Sequence, residues 1–336
     1  MTTDQLASRG NDHRPRQRAF QERTGLPWHA PTPAATGGSP LSVIIPAYDR
    51  AYSLPTVLDA LAAQAVDVPV EVIVVDDRSG DGTDEIAAGH PVVDRAVRLA
   101  ERSGAAAARN VGVALARSET LVFLDADVVP LPHVLADFAA RAADDLVLLG
   151  FREPVGHRPA PHGRADLPPR PPRLIADHRV RWRASVGYPA VHSGRVYARP
   201  EVAWPLDSSA DLAELGFGAE REGWDLPLMV VTALMAASRR RVSAVGGFGT
   251  AFGLGWGSED TYLGARLIAS GCLVVPLRQA LAFHIDPPDP AADWAEKLVT
   301  ARERAVRGRG LLAAAGDPAG TDARVAELLA GAQRLR

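Results

Sequence analysis

Lysine is nearly missing from this chain: Lys297 is the only one among 37 lysine and arginine residues, a bias we ascribe to base composition rather than function. Cysteine is equally scarce. Cys272 stands alone, which excludes an intrachain disulfide, fits a reducing compartment, and reads most simply as a small buried apolar residue. Neither sign of charge dominates. A formal net charge of −3 gives no global basic field of the kind that gathers nucleic acid or anionic lipid, so any anionic ligand must be met by a local site. Nor does any run approach the roughly 18 uninterrupted apolar residues of a membrane helix. Arg14, Arg16, Arg18 and Arg23 precede no apolar stretch, so the N-terminus does not read as a secretory signal. These absences lead us to expect a cytoplasmic protein with no transmembrane segment, compatible at most with peripheral membrane contact.

What is present is ordinary globular material: 336 residues, 47% hydrophobic and 23% charged, enough to bury one large core or two modest ones. Residues 1–39 are rich in Arg, Gln, Pro, Gly and Thr without periodicity, and are expected to form a flexible tail. From Leu41 apolar runs and helical patterns alternate. Strands are expected near 41–45, 70–75, 96–99 and 121–124, and helices near 53–65, 83–88 and 105–117. Such a βα rhythm implies an α/β fold with a Rossmann-like, mostly parallel central sheet flanked by helices. Ligands of such sheets bind at the carboxyl ends of the strands.

The helix near 131–143 and the strand near 146–150 close a first half, residues 40–150. The region 151–290 begins with a proline- and arginine-rich segment to about residue 225, expected to be loop-rich. It continues through a strand or short helix at 230–238, a capped helix at 258–270, and short strands at 272–276 and 280–284. Two helices, near 291–307 and 321–335, are expected to occupy 291–336.

Three apolar runs end in polar residues. The first leads through Pro46 to Tyr48, whose ring could stack on a flat ligand. The second ends in Asp76 and Asp77. Adjacent carboxylates at a strand mouth repel unless each has a donor, and for Asp77 we expect a ligand. The third ends in Asp125-Ala126-Asp127, a spacing of hard oxygen donors that can hold a divalent cation on phosphate oxygens. Arg109, in a helical stretch between the second and third, could pair with a pyrophosphate or with Asp76.

The second half carries Gly246-Gly247-Phe248 and a glycine-dense loop, Gly253-Leu254-Gly255-Trp256-Gly257, running into Ser258-Glu259-Asp260. Ser258 suits a helix N-cap, placing both acids in the first turn. The loop can close over a sugar with Trp256 on its apolar face, and Asp260 can accept the proton of an incoming hydroxyl. The helix dipole should keep Asp260 ionised and weakly basic. His284 ends a further apolar run and is expected to join the metal, which two aspartates alone would hold poorly.

Taken in order, Ser42-Val43-Ile44-Ile45-Pro46-Ala47-Tyr48, Val75-Asp76-Asp77-Arg78-Ser79, Ala108-Arg109-Asn110 and Leu124-Asp125-Ala126-Asp127 resemble the family 2 glycosyltransferases of the GT-A fold. Gly246-Gly247-Phe248 with Gly255-Trp256-Gly257-Ser258-Glu259-Asp260 resembles the C-terminal motif of galactosyltransferase and N-acetylgalactosaminyltransferase relatives. The resemblance spans about residues 41–290. It implies a nucleotide-sugar donor, with UDP the expected nucleotide, and a hydroxyl acceptor. Tyr48 would stack on uracil and Asp77 bind its edge, with Pro46, Asp76 and Arg109 on the same donor side. Asp125 would reach ribose or metal, Asp127 and His284 would ligate Mn2+ or Mg2+, Asp260 would be the base, and Glu259 and Trp256 would hold acceptor and donor sugar. It also implies inversion at the anomeric centre and, without membrane helices, a discrete acceptor: a glycan, lipid-linked sugar, natural product or peptide. Thr261 stands where many galactosyltransferase relatives carry further acids, so their donor choice is not carried over.

Three other readings compete. A sugar-nucleotide-binding protein without turnover would not need Asp127, Asp260 and His284 together. A sugar nucleotidyltransferase would carry a glycine-rich phosphate loop after the first strand, where this chain has Pro46-Ala47-Tyr48-Asp49-Arg50. A nicotinamide dehydrogenase would show Gly-x-Gly-x-x-Gly there.

Overall fold

The computed structural model describes residues 11, 13–177, 179, 227, 229–292, 297, 303, 304, 307, 308 and 319–336. Its core is one nine-stranded sheet, ordered β5-β8-β6-β7-β4-β1-β2-β3-β9. Strands β1 (Leu41–Ala47), β2 (Val70–Asp76), β3 (Arg95–Arg98) and β4 (Thr120–Leu124) pair in parallel in the order 3-2-1-4. Beyond β4 the sheet becomes mixed. β7 (Leu234–Ser238) runs antiparallel to both β4 and β6 (Leu146–Val155), while β8 (Leu273–Ile285) is parallel to β6.

The apolar runs are nearly continuous because both faces of the sheet are covered. Successive side chains alternate faces. Val43, Ile45, Val72 and Val74 pack into one core with helices α2 (Leu54–Ala62) and α5 (Val134–Arg141). Ile44, Ile73, Val75 and Phe123 pack into the other with α4 (Ala105–Leu115) and α7 (Glu259–Ala269). The short helices α3 (Thr83–Gly89) and α6 (Arg239–Ala244) follow β2 and β7. The expected α/β class therefore holds.

Several expected elements take a different form. The segment expected as a flexible tail contains a helix, α1 (Arg14–Thr24), with Pro15 in its first turn and Gly25 closing it at φ 71°. Those are start and stop signals that the surrounding breakers obscure. Phe20 and Trp28 are buried edge-to-face, and Arg141 of α5 lies over the Phe20 ring at 4.2 Å while donating to the Trp28 carbonyl. The strand expected to stop at residue 150 continues to Val155, and the two short strands expected at 272–276 and 280–284 are one, β8. Gln333–Arg334, expected to be helical, forms β9 antiparallel to β3, after a last helix α8 (Ala319–Gly331). An edge strand with free backbone groups accepts such a partner. Of the expected loop-rich segment, residues 178 and 180–226 lie outside the described residues, as does much of the expected helix at 291–307.

Candidate active site

The loops following β1, β2 and β4 converge at the carboxyl ends of the parallel strands. Asp49 (φ 49°), Arg78 (φ 70°) and Ser258 (φ 73°) hold left-handed conformations in these loops and in the glycine-dense loop, a strain that such residues carry chiefly where the surroundings demand it. Pro46 lies beyond the last β1–β4 pair, Ile44 with Phe123, where only β2 still pairs, so its missing N–H fits there. Tyr48 follows it, and the Arg102 guanidinium lies 3.8 Å from the Tyr48 ring centroid, on the surface expected to receive a base.

The adjacent aspartates find donors within the protein. Asp76 accepts from the Ser79 N–H at 3.2 Å and faces Arg98 Nε at 3.5 Å. Asp77 accepts from the N–H groups of Ser103 and Gly104, each at 2.7 Å. Burial pushes both carboxyls above their ordinary range, against these hydrogen bonds. Asp77, expected to meet a ligand, thus anchors the turn that starts α4. Gly104 in that turn, at φ 92°, lets the Gly253 carbonyl approach to where a Cβ would sit 2.6 Å away, bringing the glycine-dense loop against the first half.

The carboxylates of Asp125 and Asp127 separate to different partners. Asp125 accepts from Arg109 Nη2 at 2.8 Å. Asp127 faces Arg50 Nε and His284 Nε2, each at 3.4 Å. Strand register makes the second meeting. After β4 the chain enters β5 (Val128–Pro130), antiparallel to β8, with Val128 opposite His284 and the Ile285 N–H donating to the Asp127 carbonyl at 2.8 Å. Burial alone would raise the Asp127 pKa, but His284 and then Arg50 and Lys297 hold it well below the usual carboxylate range. Its buried Oδ1 has no hydrogen-bond partner and faces the imidazole. A carboxylate oxygen beside an imidazole nitrogen suits a divalent cation. The donor set expected for a metal is therefore Asp127 and His284, with Asp125 drawn away to Arg109. Among the described residues no group of three or more His, Cys, Asp and Glu side chains is arranged to hold a metal.

Arg109 does not reach Asp76. Buried at the centre of the site, it reaches Asp125 with one nitrogen and Glu259 with another at 3.3 Å. Arg304 grips Glu259 from the other side at 3.2 Å and donates to the Gly257 carbonyl at 2.8 Å. Ser258, expected as an N-cap, is left-handed and makes no capping hydrogen bond; Glu259 and Asp260 still open α7. Desolvation by burial, then the Glu259 charge, pushes the Asp260 carboxyl up to about 6, with Arg109 opposing. The dipole argument missed both effects, so Asp260 is a stronger base than the sequence implied. Trp256 is partly buried, with Lys297 Nζ 5.8 Å from its ring centroid.

Asn110, beside Arg109, clamps Gly246-Gly247-Phe248: its side chain donates to the Phe248 carbonyl at 2.8 Å and accepts the Phe248 N–H at 2.9 Å. Gly247 is at φ 65°, and a Cβ there would sit 2.4 Å from Asn110 Oδ1. Gly247→Ala should therefore cost about 1–3 kcal/mol by strained backbone and a displaced clamp, read as a lowered urea midpoint. An unchanged midpoint would mean that this turn is not held as described.

Four residues here escaped the sequence reading. Arg50 was legible as a basic residue just past the first strand, and Arg102 as one flanking a Ser-Gly turn. For Arg304 and Lys297 no local signal exists, because both reach the site from a segment more than 35 residues after Glu259.

Residues 42–199 match the family model for glycosyl transferase family 2. The chondroitin synthase of Escherichia coli is 24% identical over 258 residues, covering 74% of this chain and 35% of that protein. The validoxylamine A glucosyltransferase of Streptomyces hygroscopicus subsp. limoneus is 32% identical over 266 residues, covering 75% of this chain and 53% of the relative. The chain thus spans only a third to a half of these relatives. A solved mannosyltransferase from Pyrobaculum calidifontis, in complex with GDP-Man and Mn2+, superposes with a TM-score of 0.48 at 20% identity, covering 98% of this chain and 89% of the other. Among the described residues, no helix is long and apolar enough to cross a membrane.

Proposed function

We propose that this chain is a family 2 glycosyltransferase of the GT-A type, inverting and dependent on Mn2+ or Mg2+, that moves a sugar from a UDP-sugar to a hydroxyl of a discrete acceptor. The observation that carries the proposal is the presence of two dissimilar acidic centres: the Asp127 carboxylate, depressed and part-orphaned beside His284, and the Asp260–Glu259 pair, in which the Asp260 carboxyl is raised to about 6. Environments that push carboxylates apart in this way divide labour between binding charge and moving protons.

In this reading Tyr48 meets the base, and Asp127 with His284 would hold a divalent cation, which would supply charge neutralisation at the diphosphate. Asp125 is held by Arg109 toward the donor. Asp260 takes the proton from the acceptor hydroxyl as its oxygen bonds to the anomeric carbon and the bond to the diphosphate oxygen breaks. Glu259, fixed between Arg109 and Arg304, aligns the start of α7 so that Asp260 keeps its aim. The family match to residues 42–199 and the sugar-transferring relatives support the same reading.

The first test is calorimetric titration of UDP into the full chain with and without Mn2+, repeated on Asp127→Ala. Binding should require Mn2+ and weaken by about 100-fold or more in the variant, the loss expected for removing one of two protein ligands. A folded protein that binds no UDP in either condition would sink the uridine assignment.

A further inference from the structure

The glycine-dense loop has little in its own sequence to hold it. Gly253, Gly255 and Gly257 stand at φ 63°, 111° and 93°, conformations that glycine adopts without steric cost. Ordering such a span costs about 1–2 kcal/mol per residue, so Trp256, carried between Gly255 and Gly257, has a fixed place only if other parts of the chain supply it. The C-terminal segment does so at both ends of the loop. Arg307 Nη1 donates to the Ala251 carbonyl and Arg304 Nε to the Gly257 carbonyl, each at 2.8 Å. Gly308 stands between the two ends: a Cβ there would lie 3.4 Å from the Phe252 ring and 3.9 Å from Ser258 Cβ. Phe252 is itself buried against Tyr262 of α7, ring centroids 5.6 Å apart, with the Arg304 guanidinium 5.5 Å from its centroid. A third point is fixed from the first half, where the Gly253 carbonyl rests against Gly104 in the turn that Asp77 anchors. Between these points stand Leu254, Gly255 and Trp256.

We propose that Arg307 and Arg304 are positioning residues for Trp256: by pinning the Ala251 and Gly257 carbonyls they hold the arch of the loop in one place, so that the indole meets the transferred sugar. The inference rests on the donor-site reading above, with Trp256 as its sugar contact, and adds two residues that act through the loop. The two arginines differ in what they hold. Arg307 is exposed and gives the loop one hydrogen bond, to a single carbonyl. Arg304 is buried, and its fork is divided between the Gly257 carbonyl and Glu259 Oε2 at 3.2 Å, which ties the loop to the start of α7. A displacement of about 1 Å caused far from the chemistry can cost about 100-fold, so pins that touch no substrate still govern how well it is held.

The test is a double-mutant cycle read by calorimetry on the full chain with Mn2+, titrated with UDP and with UDP-glucose, UDP-galactose, UDP-N-acetylglucosamine and UDP-N-acetylgalactosamine. The quantity followed is the affinity for the best-bound UDP-sugar relative to that for UDP. Trp256→Ala should lower this ratio by about tenfold, and Arg307→Ala should lower it by a similar factor while UDP affinity and the urea midpoint stay as in the parent. In the double variant the two losses should not add, because a pin has nothing to position once the indole is gone. Arg307→Lys should restore the ratio, since one ammonium can serve one carbonyl, whereas Arg304→Lys should not, since it cannot serve the Gly257 carbonyl and Glu259 together. Losses that add, or an Arg307→Ala protein with the parental ratio, overturn the positioning role and leave the donor site standing. A Trp256→Ala protein with the parental ratio overturns the sugar contact and this inference with it. A chain that binds neither UDP nor any UDP-sugar overturns the donor-site reading from which both proceed.

Discussion

Asp260→Asn should lower kcat by about 10³-fold or more while leaving UDP affinity nearly unchanged, since a positioned general base contributes roughly 10² to 10⁴ and the amide keeps shape without basicity. The physical ground is the raised carboxyl. Burial and the neighbouring Glu259 charge bring Asp260 to about 6, close enough to neutrality to accept a proton yet ionised at pH 7. The sign follows directly. As the proposed base, Asp260 would act only when deprotonated, so kcat/KM should hold level above about pH 7 and fall about tenfold per unit well below pH 6, as the free protein's base becomes protonated. A rate profile with no limb between about pH 5 and 7, or an asparagine variant with full turnover, would remove Asp260 from the mechanism. The same variant separates an enzyme from a binding protein without turnover: in the second case neither the substitution nor the pH would have a rate to alter.

Removing Arg109 should be the most damaging single change to the architecture of the site. Its guanidinium is buried between Asp125 at 2.8 Å and Glu259 at 3.3 Å, and the Asp260 charge also reaches it. Truncation to alanine leaves carboxylates facing one another without their shared cation, a loss of about 3–5 kcal/mol for a buried partner removed. Unfolding in urea should show it as a lower midpoint, provided the slope stays that of the parent protein. Arg109→Lys should recover only part, because a single ammonium cannot reach both carboxylates in the fork geometry. The Asp260 carboxyl should also move further up in Arg109→Lys if the lysine sits back from the cluster, carrying the acid limb of the rate profile with it. If Arg109→Ala proves as stable as the parent, the bridge is an arrangement without energetic weight.

The parallel half of the fold was legible because its signals are local. Leu41–Ala47, Val70–Asp76 and Thr120–Leu124 are short apolar runs, and a strand buried on both faces must be written that way. Where an element depended on a distant partner, the local pattern misled. Phe20 and Trp28 earn their order from Arg141, more than 110 residues on, so their own stretch looks like a tail. Gln333–Arg334 is a strand only because the edge of β3 is there to pair with it.

The site divides along the same line. The sequence by itself determined the chemical inventory: which carboxylates end which strands, that Glu259 and Asp260 open a helix, and that Tyr48, Asp125 and Asp127 gather at one end of a parallel sheet. Only the tertiary structure decided the partners. It set Asp127 against His284 through the β5–β8 register, turned Asp77 onto backbone N–H groups, drew Asp125 and Glu259 onto Arg109, and brought Arg304 and Lys297 to the glycine-dense loop. The reason is that strand and helix periodicities arise from neighbours along the chain, whereas the charge and proton affinity of a buried carboxylate depend on burial and on whichever groups stand within a few ångströms, here up to 157 residues away.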